Sequence, residues 1–248
     1  MIGMGETADT LLAGRVRLAQ ADQGYRVSVD AVLLAAAVRI EAGQRALDVG
    51  CGVGGATLCL ASRVPGAILR GVDQDPQCLE RLRRNAAANG FEDQIAIEDA
   101  DVANGTPSHL RQAFDHVFSN PPYLPAARAD TRPRAKAANA ANIETVPLSA
   151  WLTFMADSVG PCGGLTLIHR ADRLEEVLGE LSKHAGAIRV IPVWPRAGQP
   201  ASRVIVTARK EVATPTVLDP GLVLHENDGS FSPAARAILE DGAPLALP

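Results

Sequence analysis

The sequence predicts an α/β fold in which a mostly parallel sheet is covered by helices on both faces. Short segments rich in β-branched residues alternate with longer amphipathic segments through most of the chain, and this alternation is typical of strands joined by crossover helices. A glycine-rich turn directly follows the first of these strands. The 248 residues are 47% hydrophobic, so they supply enough apolar surface for one large core.

The first part of the chain is predicted to be a small prelude to the main sheet. Residues 11–25 mix glycine with short apolar runs and indicate a hairpin, and residues 28–38 indicate a capped helix with Asp30 in its first turn. We therefore expect three units: a hairpin and helix over residues 1–40, the main domain over 41–210, and an extension packed on the core over 211–248.

The main domain follows the alternating pattern element by element. We expect parallel strands at residues 46–49, 68–72, 94–98, 116–119 and 165–169. Helices are predicted at residues 57–63, 76–89, 108–113, 148–159 and 172–183. Two further strands, at 188–193 and 204–208, are separated by a turn containing proline and glycine, so we expect them to form an antiparallel hairpin at one sheet edge.

Charge and cysteine content limit the possible functions. The net charge of −4 argues against a generally basic nucleic-acid-binding surface but allows a local basic patch. The four cysteines form no Cys-x-x-Cys pair, so we expect buried, reduced thiols and no bound metal. Neither a signal peptide nor an apolar run of about 18 residues is visible, and we expect a cytoplasmic protein that does not enter a membrane.

The glycine-rich turn is a candidate cofactor site. Its sequence runs from Asp48 through Gly50, Cys51 and Gly52 to Gly54, which allows backbone N–H groups and a helix N-terminus to approach a ligand closely. The spacing differs from the dinucleotide pattern Gly-x-Gly-x-x-Gly because an acid precedes the turn, and that acid suits the ammonium of an amino-acid moiety. We therefore expect S-adenosylmethionine rather than NAD, with Cys51 serving as a small side chain in the turn.

Acidic residues end the next two strands. Asp73, followed by Gln74, ends the second strand, where a carboxylate can accept hydrogen bonds from both ribose hydroxyls. Asp99 and Asp101 follow the third strand, and Asp101 better fits the turn that would contact an adenine amino group. Each acid taken singly could also be a solvated residue at the end of a loop, but three acids at successive strand ends favour one cofactor site.

The fourth strand is followed by Asn120, Pro121, Pro122 and Tyr123. The Asn120 side-chain oxygen and the Pro121 carbonyl can accept hydrogen bonds from an NH2 group and direct its lone pair toward an electrophile. The prolines restrict the backbone that presents these acceptors, and Tyr123 offers a face on which a flat group can stack. We predict these four residues to be catalytic, with Asn120 also bordering the cofactor; an ordinary turn is the alternative.

With these motifs, the chain resembles the class I S-adenosylmethionine-dependent methyltransferases, in the branch whose Asn-Pro-Pro-Tyr motif methylates planar nitrogens. Over residues 24–26, 29–35, 148–151 and 164–170 it is more narrowly similar to the bacterial tRNA(Val) adenine-N6 methyltransferase family, among the small-domain methyltransferases. The resemblance implies a Rossmann-like fold with a seven-stranded, mostly parallel sheet and an antiparallel edge strand. It also implies that Asp30, and with it Arg26, lines the cofactor or target pocket.

The resemblance implies methylation of adenine N6 in tRNA near the anticodon. Release-factor glutamine methyltransferases and DNA adenine methyltransferases share the same four residues, and a non-catalytic module that binds the cofactor is a further alternative. We expect tRNA as the partner because a basic loop follows the catalytic turn, although a solvated loop would show the same composition. The basic residues of this expected rim are Arg128, Arg132, Arg134, Lys136, Arg196 and Arg203.

Overall fold

The computed structural model describes residues 5–22, 26–125 and 143–246. The chain begins with a hairpin of β1 (Glu6–Leu11) and β2 (Val16–Ala21), which are antiparallel. Helix α1 (Val29–Ala37) follows, and the Ser28 hydroxyl caps it by accepting a hydrogen bond from the Asp30 N–H. The predicted hairpin and helix are both present, and the hairpin begins at Glu6, earlier than predicted.

The remaining elements alternate as the sequence pattern indicates. The strands are β3 (Arg45–Val49), β4 (Ile68–Asp73), β5 (Ile95–Asp99), β6 (Phe114–Ser119), β7 (Leu124–Pro125), β8 (Ile143–Glu144), β9 (Val159–Arg170), β10 (Ala185–Arg196), β11 (Arg203–Lys210), β12 (Val217–Leu218) and β13 (Leu222–His225). The helices are α2 (Gly55–Arg63), α3 (Pro76–Asn89), α4 (Leu148–Ser158), α5 (Leu174–Leu181) and α6 (Pro233–Leu239).

The central sheet has the order β5-β4-β3-β6-β9-β11-β10, and short β12 and β13 both pair with β10 to make nine strands. Strands β5, β4, β3, β6 and β9 are parallel, whereas β11 is antiparallel to both of its neighbours. The predicted α/β class and the predicted β10–β11 hairpin are confirmed, but the sheet has nine strands rather than the predicted seven, because β12 and β13 add to β10. The placement of an antiparallel strand at the sheet edge is wrong, since β11 lies inside the sheet.

Burial explains why β11 is an interior strand. Val204, Ile205 and Val206 are all at most 2% exposed, as expected for a strand covered on both faces. Ile205 belongs to the apolar cluster that contains Leu34 of α1, whereas Val206 belongs to the cluster that contains Met155 of α4. Because successive strand residues point to opposite faces, the two clusters lie on opposite sides of the sheet. The predicted helical covering of both faces is therefore confirmed.

Two predicted helices differ from the structure. Residues 108–113 form only a 3-10 turn, Ser108–Leu110, because the N–H groups of Gln112 and Ala113 bond to the end of α4 and Gln112 has a φ of 51°. The helix predicted from residue 172 begins at Leu174, after a 3-10 turn. In the first case tertiary hydrogen bonds replace those that a helix would make.

The C-terminal segment contacts both α1 and the turn between β1 and β2. The Leu245 N–H donates a 2.8 Å hydrogen bond to the Ala36 carbonyl, and Arg15, between β1 and β2, bonds to the Glu240 carbonyl at the end of α6. The proposed unit boundaries at residues 40 and 210 stay a prediction. Across the described segments, each helix is too short or too polar to cross a membrane.

Candidate active site

A cavity of about 410 Å³ opens where several parallel strands end. Its volume falls within the roughly 300–1,000 Å³ of small-molecule sites, and its position at the carboxyl ends of the strands is where open α/β sheets bind ligands. Predicted site residues in its lining are Asp48, Gly50, Cys51, Gly52, Asp73, Gln74, Asp101, Asn120 and Pro122. The structure therefore brings together residues from β3, β4 and the turns that follow β3, β4, β5 and β6.

The glycine turn has a backbone shape that favours glycine. Gly50, Gly52 and Gly54 have φ values of 71°, 54° and 93°, in the left-handed region that L side chains rarely adopt. A Cβ on Gly50 would lie 2.6 Å from the Trp151 ring, and one on Gly54 would lie 2.2 Å from Leu82. A Cβ on Gly52 would meet nothing within 4 Å. Gly54 is the N-cap of α2 and does not line the cavity, whereas the turn is open at Gly52.

The Asp48 side chain is buried beside α2. It is 2% exposed, and its Oδ2 accepts a 2.6 Å hydrogen bond from the Thr57 hydroxyl. Burial raises the pKa of Asp48 to about 7; the Thr57 hydrogen bond opposes the rise and the nearby Asp73 charge adds to it. Asp48 therefore titrates near neutral pH, and a cationic group in the cavity would favour its charged form.

Asp73 is held in place by the backbone. Its Oδ2 accepts a hydrogen bond from the Gly52 N–H at 2.8 Å, and its Oδ1 accepts one from the Asp75 N–H at 2.9 Å. Burial raises the pKa of Asp73, and these backbone hydrogen bonds only partly offset the rise. Each carboxylate oxygen has a second lone pair, so Asp73 can accept further hydrogen bonds from a pair of hydroxyl groups.

The structure places Asp101, but not Asp99, at the cavity. Asp101 lines the cavity and caps the 3-10 turn Val102–Asn104, where its Oδ1 accepts a 2.9 Å hydrogen bond from the Ala103 N–H. Asp99, at the end of β5, is exposed and is not part of the lining. The geometry therefore favours Asp101 as the acid near a flat base.

The turn after β6 borders the same cavity. Asn120 and Pro122 line it, and Pro121 is buried between them. The preceding Ser119 hydroxyl donates a 2.7 Å hydrogen bond to the Val49 carbonyl, which ties the end of β6 to the end of β3. The amide of Asn120 is thus held within the cavity that contains the acidic strand ends.

Tyr123 lies beyond the lining, in a cluster with three other side chains. The Arg203 Cζ is 5.2 Å from the centre of the Tyr123 ring, and the ring centre of His169 is 6.4 Å away at an interplanar angle of 80°. Arg203 Nε donates to Asp30 Oδ2 at 3.0 Å. Asp30 therefore contacts Arg203 rather than lining the cavity, and Arg26 bonds to Asp9 instead.

His169 is neutral within this cluster. It is 1% exposed, and within the described segments neither ring nitrogen has a hydrogen-bond partner. Burial, and secondarily the charge of Arg173, lower the pKa of His169 to about 4. At neutral pH the ring therefore packs as an uncharged group against Tyr123.

Trp151 and Thr57 are site residues that the motifs did not identify. Trp151 lies in the first turn of α4 and lines the cavity, with its ring against Gly50. Its Nε1 is buried without a hydrogen-bond partner among the described residues. Trp151 therefore forms a wall of the cavity.

The cavity fits the three parts expected of the methyl donor. Asp48 provides an acid beside the open glycine turn, Asp73 provides acceptors for hydroxyl groups, and Asp101 provides an acceptor near the third strand. The glycine turn leaves space where a side chain would otherwise project. The residues present therefore fit an amino-acid, ribose and base arrangement.

The cysteines differ in part from the expectation. Burial raises the pKa of the Cys51 thiol well above its usual value, so this side chain is an uncharged part of the turn. Cys59 is also buried, but Cys162 is exposed and Cys78 is partly exposed, so the prediction of four buried thiols is wrong. Within the described ranges, His, Cys, Asp and Glu side chains form no group of three or more that could hold a metal ion. The loop carrying Arg128, Arg132, Arg134 and Lys136 lies outside the described residues.

Comparison with known proteins finds a methyltransferase family model and relatives that share one name. Residues 21–141 match the methyltransferase small domain family. A Porphyromonas gingivalis strain W83 protein named tRNA1(Val) (adenine(37)-N6)-methyltransferase is 36% identical over 159 residues, which are 61% of each chain. A second strain's protein of that name is 36% identical over 66% of each chain, so the chain spans a little under two thirds of the length of both. A Yersinia enterocolitica protein of the same name is 28% identical over 87% of this chain and 85% of its own.

Solved structures share the fold. A predicted O-methyltransferase from Agrobacterium tumefaciens has a TM-score of 0.70 and 24% identity, covering 84% of this chain and 94% of its own. An S-adenosylmethionine-dependent O-methyltransferase from Thermotoga maritima has a TM-score of 0.55 and 14% identity. The match covers 77% of this chain and 68% of that chain. At these identities the likeness concerns the fold alone and does not bear on which atom is methylated.

Proposed function

We propose that this chain is a methyltransferase of the small-domain family, which its residues 21–141 match, and that it methylates the N6 atom of an adenine in tRNA next to the anticodon, using S-adenosylmethionine. The observation that carries the proposal is that Asn120 and Pro122 line the same cavity as Asp48, Asp73 and Asp101. An acceptor for an amino group and a site for a methyl donor therefore share one space. The printed names of the relatives support adenine N6 and position 37 as the target.

The ends of the first three strands would hold the donor. Asp48 would pair with its ammonium group, Asp73 would accept hydrogen bonds from the ribose hydroxyls, and Asp101 would accept one from the adenine amino group. At Gly52 the open turn allows the backbone to approach the donor closely. The Trp151 ring, which lies against Gly50, forms a wall of the cavity. When bound, S-adenosylmethionine supplies an electrophilic methyl group on a positively charged sulfur.

Asn120 prepares the acceptor nitrogen. The lone pair of an adenine amino group is delocalised into the ring, so the nitrogen is a weak nucleophile. The Asn120 side-chain oxygen and the Pro121 carbonyl accept the two amino hydrogens, which directs the lone pair away from the ring plane. Transfer would form an N–C bond as the S–C bond of the donor breaks, and the surplus amino proton would leave to water. Tyr123 borders the flipped base.

A cluster of basic residues in the sequence supports the proposal that the chain binds RNA. Its four cations, Arg128, Arg132, Arg134 and Lys136, directly follow the acceptor turn in sequence. Contacts between such cations and phosphates release counterions, so RNA affinity should fall steeply with salt. A tRNA substrate would place the activity in the cytoplasm.

The experiment must distinguish the proposed function from two alternatives. A glutamine side chain also presents a planar NH2 group, so a release-factor methyltransferase would use the same Asn120 geometry. A non-catalytic module would bind the donor and transfer nothing. The relatives' printed names favour adenine over glutamine.

Methyl transfer with a tritiated donor tests the proposal directly. The substrates are a tRNA(Val) transcript with adenine at position 37, the same transcript with guanine there, a release factor and duplex DNA. We expect incorporation only into the first. Asn120→Ala should reduce the rate by at least about a hundredfold, whereas the control Asn89→Ala, whose side chain bonds to Arg17 away from the cavity, should retain it. Incorporation into the release factor, or into no substrate, contradicts the proposal.

A further inference from the structure

Tyr123 is surrounded by side chains from three distant parts of the chain. Arg203 begins β11, Asp30 lies in the first turn of α1, and His169 lies near the end of β9. We propose that Arg203, held by Asp30, is a positioning residue that fixes the Tyr123 ring at the acceptor side of the site. The inference rests on the proposed function, because it gives Tyr123 its place beside the amino-group acceptor.

The reversed direction of β11 explains how Arg203 reaches this position. Strands β6 and β9 end at the edge of the sheet where the cavity opens, whereas β11 begins there because it runs antiparallel to β9. Arg203 pairs with Arg170, the last residue of β9, and the first side chain of β11 therefore lies next to the turn after β6. A parallel strand would place its last residue there instead.

The guanidinium of Arg203 is itself held at two points. Its Nε donates to Asp30 Oδ2 at 3.0 Å and its Nη1 donates to the Ser202 carbonyl at 3.1 Å. The Asp30 side chain is 9% exposed, so water screens this ion pair only weakly. Asp30 is in turn held by the helix cap at Ser28. The plane of the guanidinium is thus fixed before it meets the Tyr123 ring.

The contact with Tyr123 has the geometry of a cation–π pair. The Arg203 Cζ lies 5.2 Å from the ring centre, within the roughly 6 Å over which the ring quadrupole attracts a cation. His169 meets the same ring at 80°, with its centre 6.4 Å away, an edge-to-face arrangement. Together the two contacts restrict rotation of the ring.

A fixed ring lowers the cost of binding the acceptor. A side chain that is already ordered loses little conformational entropy when a flat group packs against it. Without Arg203, Tyr123 would sample several orientations, and the acceptor nitrogen would be aligned in a smaller fraction of encounters. Loss of Arg203 should therefore lower kcat/KM for the acceptor substrate. It should leave the affinity for the donor unchanged, because the cluster does not line the donor cavity.

Kinetics of matched variants test this assignment. Arg203→Met keeps the length of the side chain and removes the cation; we expect kcat/KM for tRNA to fall at least about tenfold and the Kd of S-adenosylhomocysteine to stay within about twofold. Arg203→Lys should recover part of the loss because it retains the charge. The control is Arg209→Met, at the other end of β11, where Arg209 bonds to the Cys162 carbonyl; it should behave as wild type.

Coupling to the neighbours distinguishes positioning from a general structural effect. Asp30→Asn combined with Arg203→Met should lower kcat/KM for tRNA no more than Arg203→Met alone. In a Tyr123→Leu background, Arg203→Met should not lower kcat/KM further. Equal losses of donor affinity and kcat/KM, or full additivity with Tyr123→Leu, would overturn the assignment.

A second measurement does not depend on the substrate. The chain has two tyrosines, Tyr25 and Tyr123, so fluorotyrosine labelling gives two fluorine resonances that Tyr25→Phe assigns. We expect Arg203→Met and Asp30→Asn to move the Tyr123 resonance, and Arg209→Met to leave it in place. An unmoved resonance overturns the positioning. If wild-type protein methylates no substrate while the resonance moves, the proposed function fails and the positioning stands.

Discussion

The Thr57 hydroxyl donates a 2.6 Å hydrogen bond to the carboxylate of Asp48, and this contact joins helix α2 to β3, the strand that precedes the glycine turn. Both side chains are almost fully buried. A buried carboxylate that loses a donor carries a desolvation cost with less compensation. The pair therefore stabilises the fold and adjusts the charge of a site residue at the same time.

Removing that donor gives the first prediction. Thr57→Val keeps the shape of the side chain and removes the hydroxyl, so the pKa of Asp48 should rise above 7 and the free energy of unfolding should fall by about 1–3 kcal/mol. Urea denaturation at neutral pH measures the loss. Thr153→Val is the matched control, because the Thr153 hydroxyl bonds to the Ser149 carbonyl at an exposed position. Equal losses in the two variants would contradict the special role of Thr57.

The raised pKa of Asp48 predicts a pH dependence of stability. Folded Asp48 has a pKa of about 7, whereas an aspartate in an unfolded chain titrates near about 3.9. The folded state therefore binds more protons between these values, and the contribution of Asp48 to stability is greatest below the unfolded pKa and declines as the pH rises through 7. Asp48→Asn should flatten this decline, as measured by urea denaturation at about pH 5.5 and about pH 8. A variant with the wild-type slope would assign the effect to other groups.

The tight approach at the glycine turn predicts a difference between two alanine substitutions. Gly50 and Gly90 both have a φ of 71°, so Ala at either position carries the same backbone strain, about 1–2 kcal/mol. Only at Gly50 would the new Cβ meet the Trp151 ring, since Gly90 has open space. Gly50→Ala should therefore cost a further 1–3 kcal/mol or so and weaken binding of S-adenosylhomocysteine, as calorimetry and denaturation would show. Indistinguishable variants would rule out the contact as the cause.

The strand-end acids predict selective losses of donor affinity. Asp73→Ala should weaken binding of S-adenosylhomocysteine by about tenfold to a hundredfold, because it removes an acceptor for the ribose hydroxyls. Asp99→Ala removes an exposed acid outside the cavity and should leave the affinity unchanged. Titration calorimetry of both variants is the measurement. A comparable loss for Asp99→Ala would mean that net charge, rather than the Asp73 contact, controls binding.

Local sequence patterns predicted much of the fold for physical reasons that act within a few residues. Helix α3 has the bounds that the sequence predicts, because Pro76 suits a helix start and Gly90 supplies the left-handed residue at its end. The acids at the ends of β3 and β4 were predicted because parallel strands end at the same edge of a sheet. The preference for Asp101 over Asp99 also came from the turn that follows β5.

Contacts between distant segments were not available from local patterns. The interior position of β11 depends on its pairing with both β9 and β10, although its uninterrupted apolar run, Val204 to Val206, was a signal of burial on both faces. Trp151 became a wall of the cavity because the packing of α4 brings its ring against Gly50. The sequence position of a tryptophan does not state which surface its ring will meet.

By itself the sequence determined the α/β class, the glycine turn, the acids at the strand ends and the turn that holds Asn120, because backbone preferences and side-chain periodicity act over short spans of chain. Only the tertiary structure decided that Asp30 accepts a hydrogen bond from Arg203 rather than lining the cavity, and that Arg203 packs on the Tyr123 ring. Residues 30 and 203 are brought together by the antiparallel insertion of β11, and such long-range pairing depends on the packing of the whole sheet.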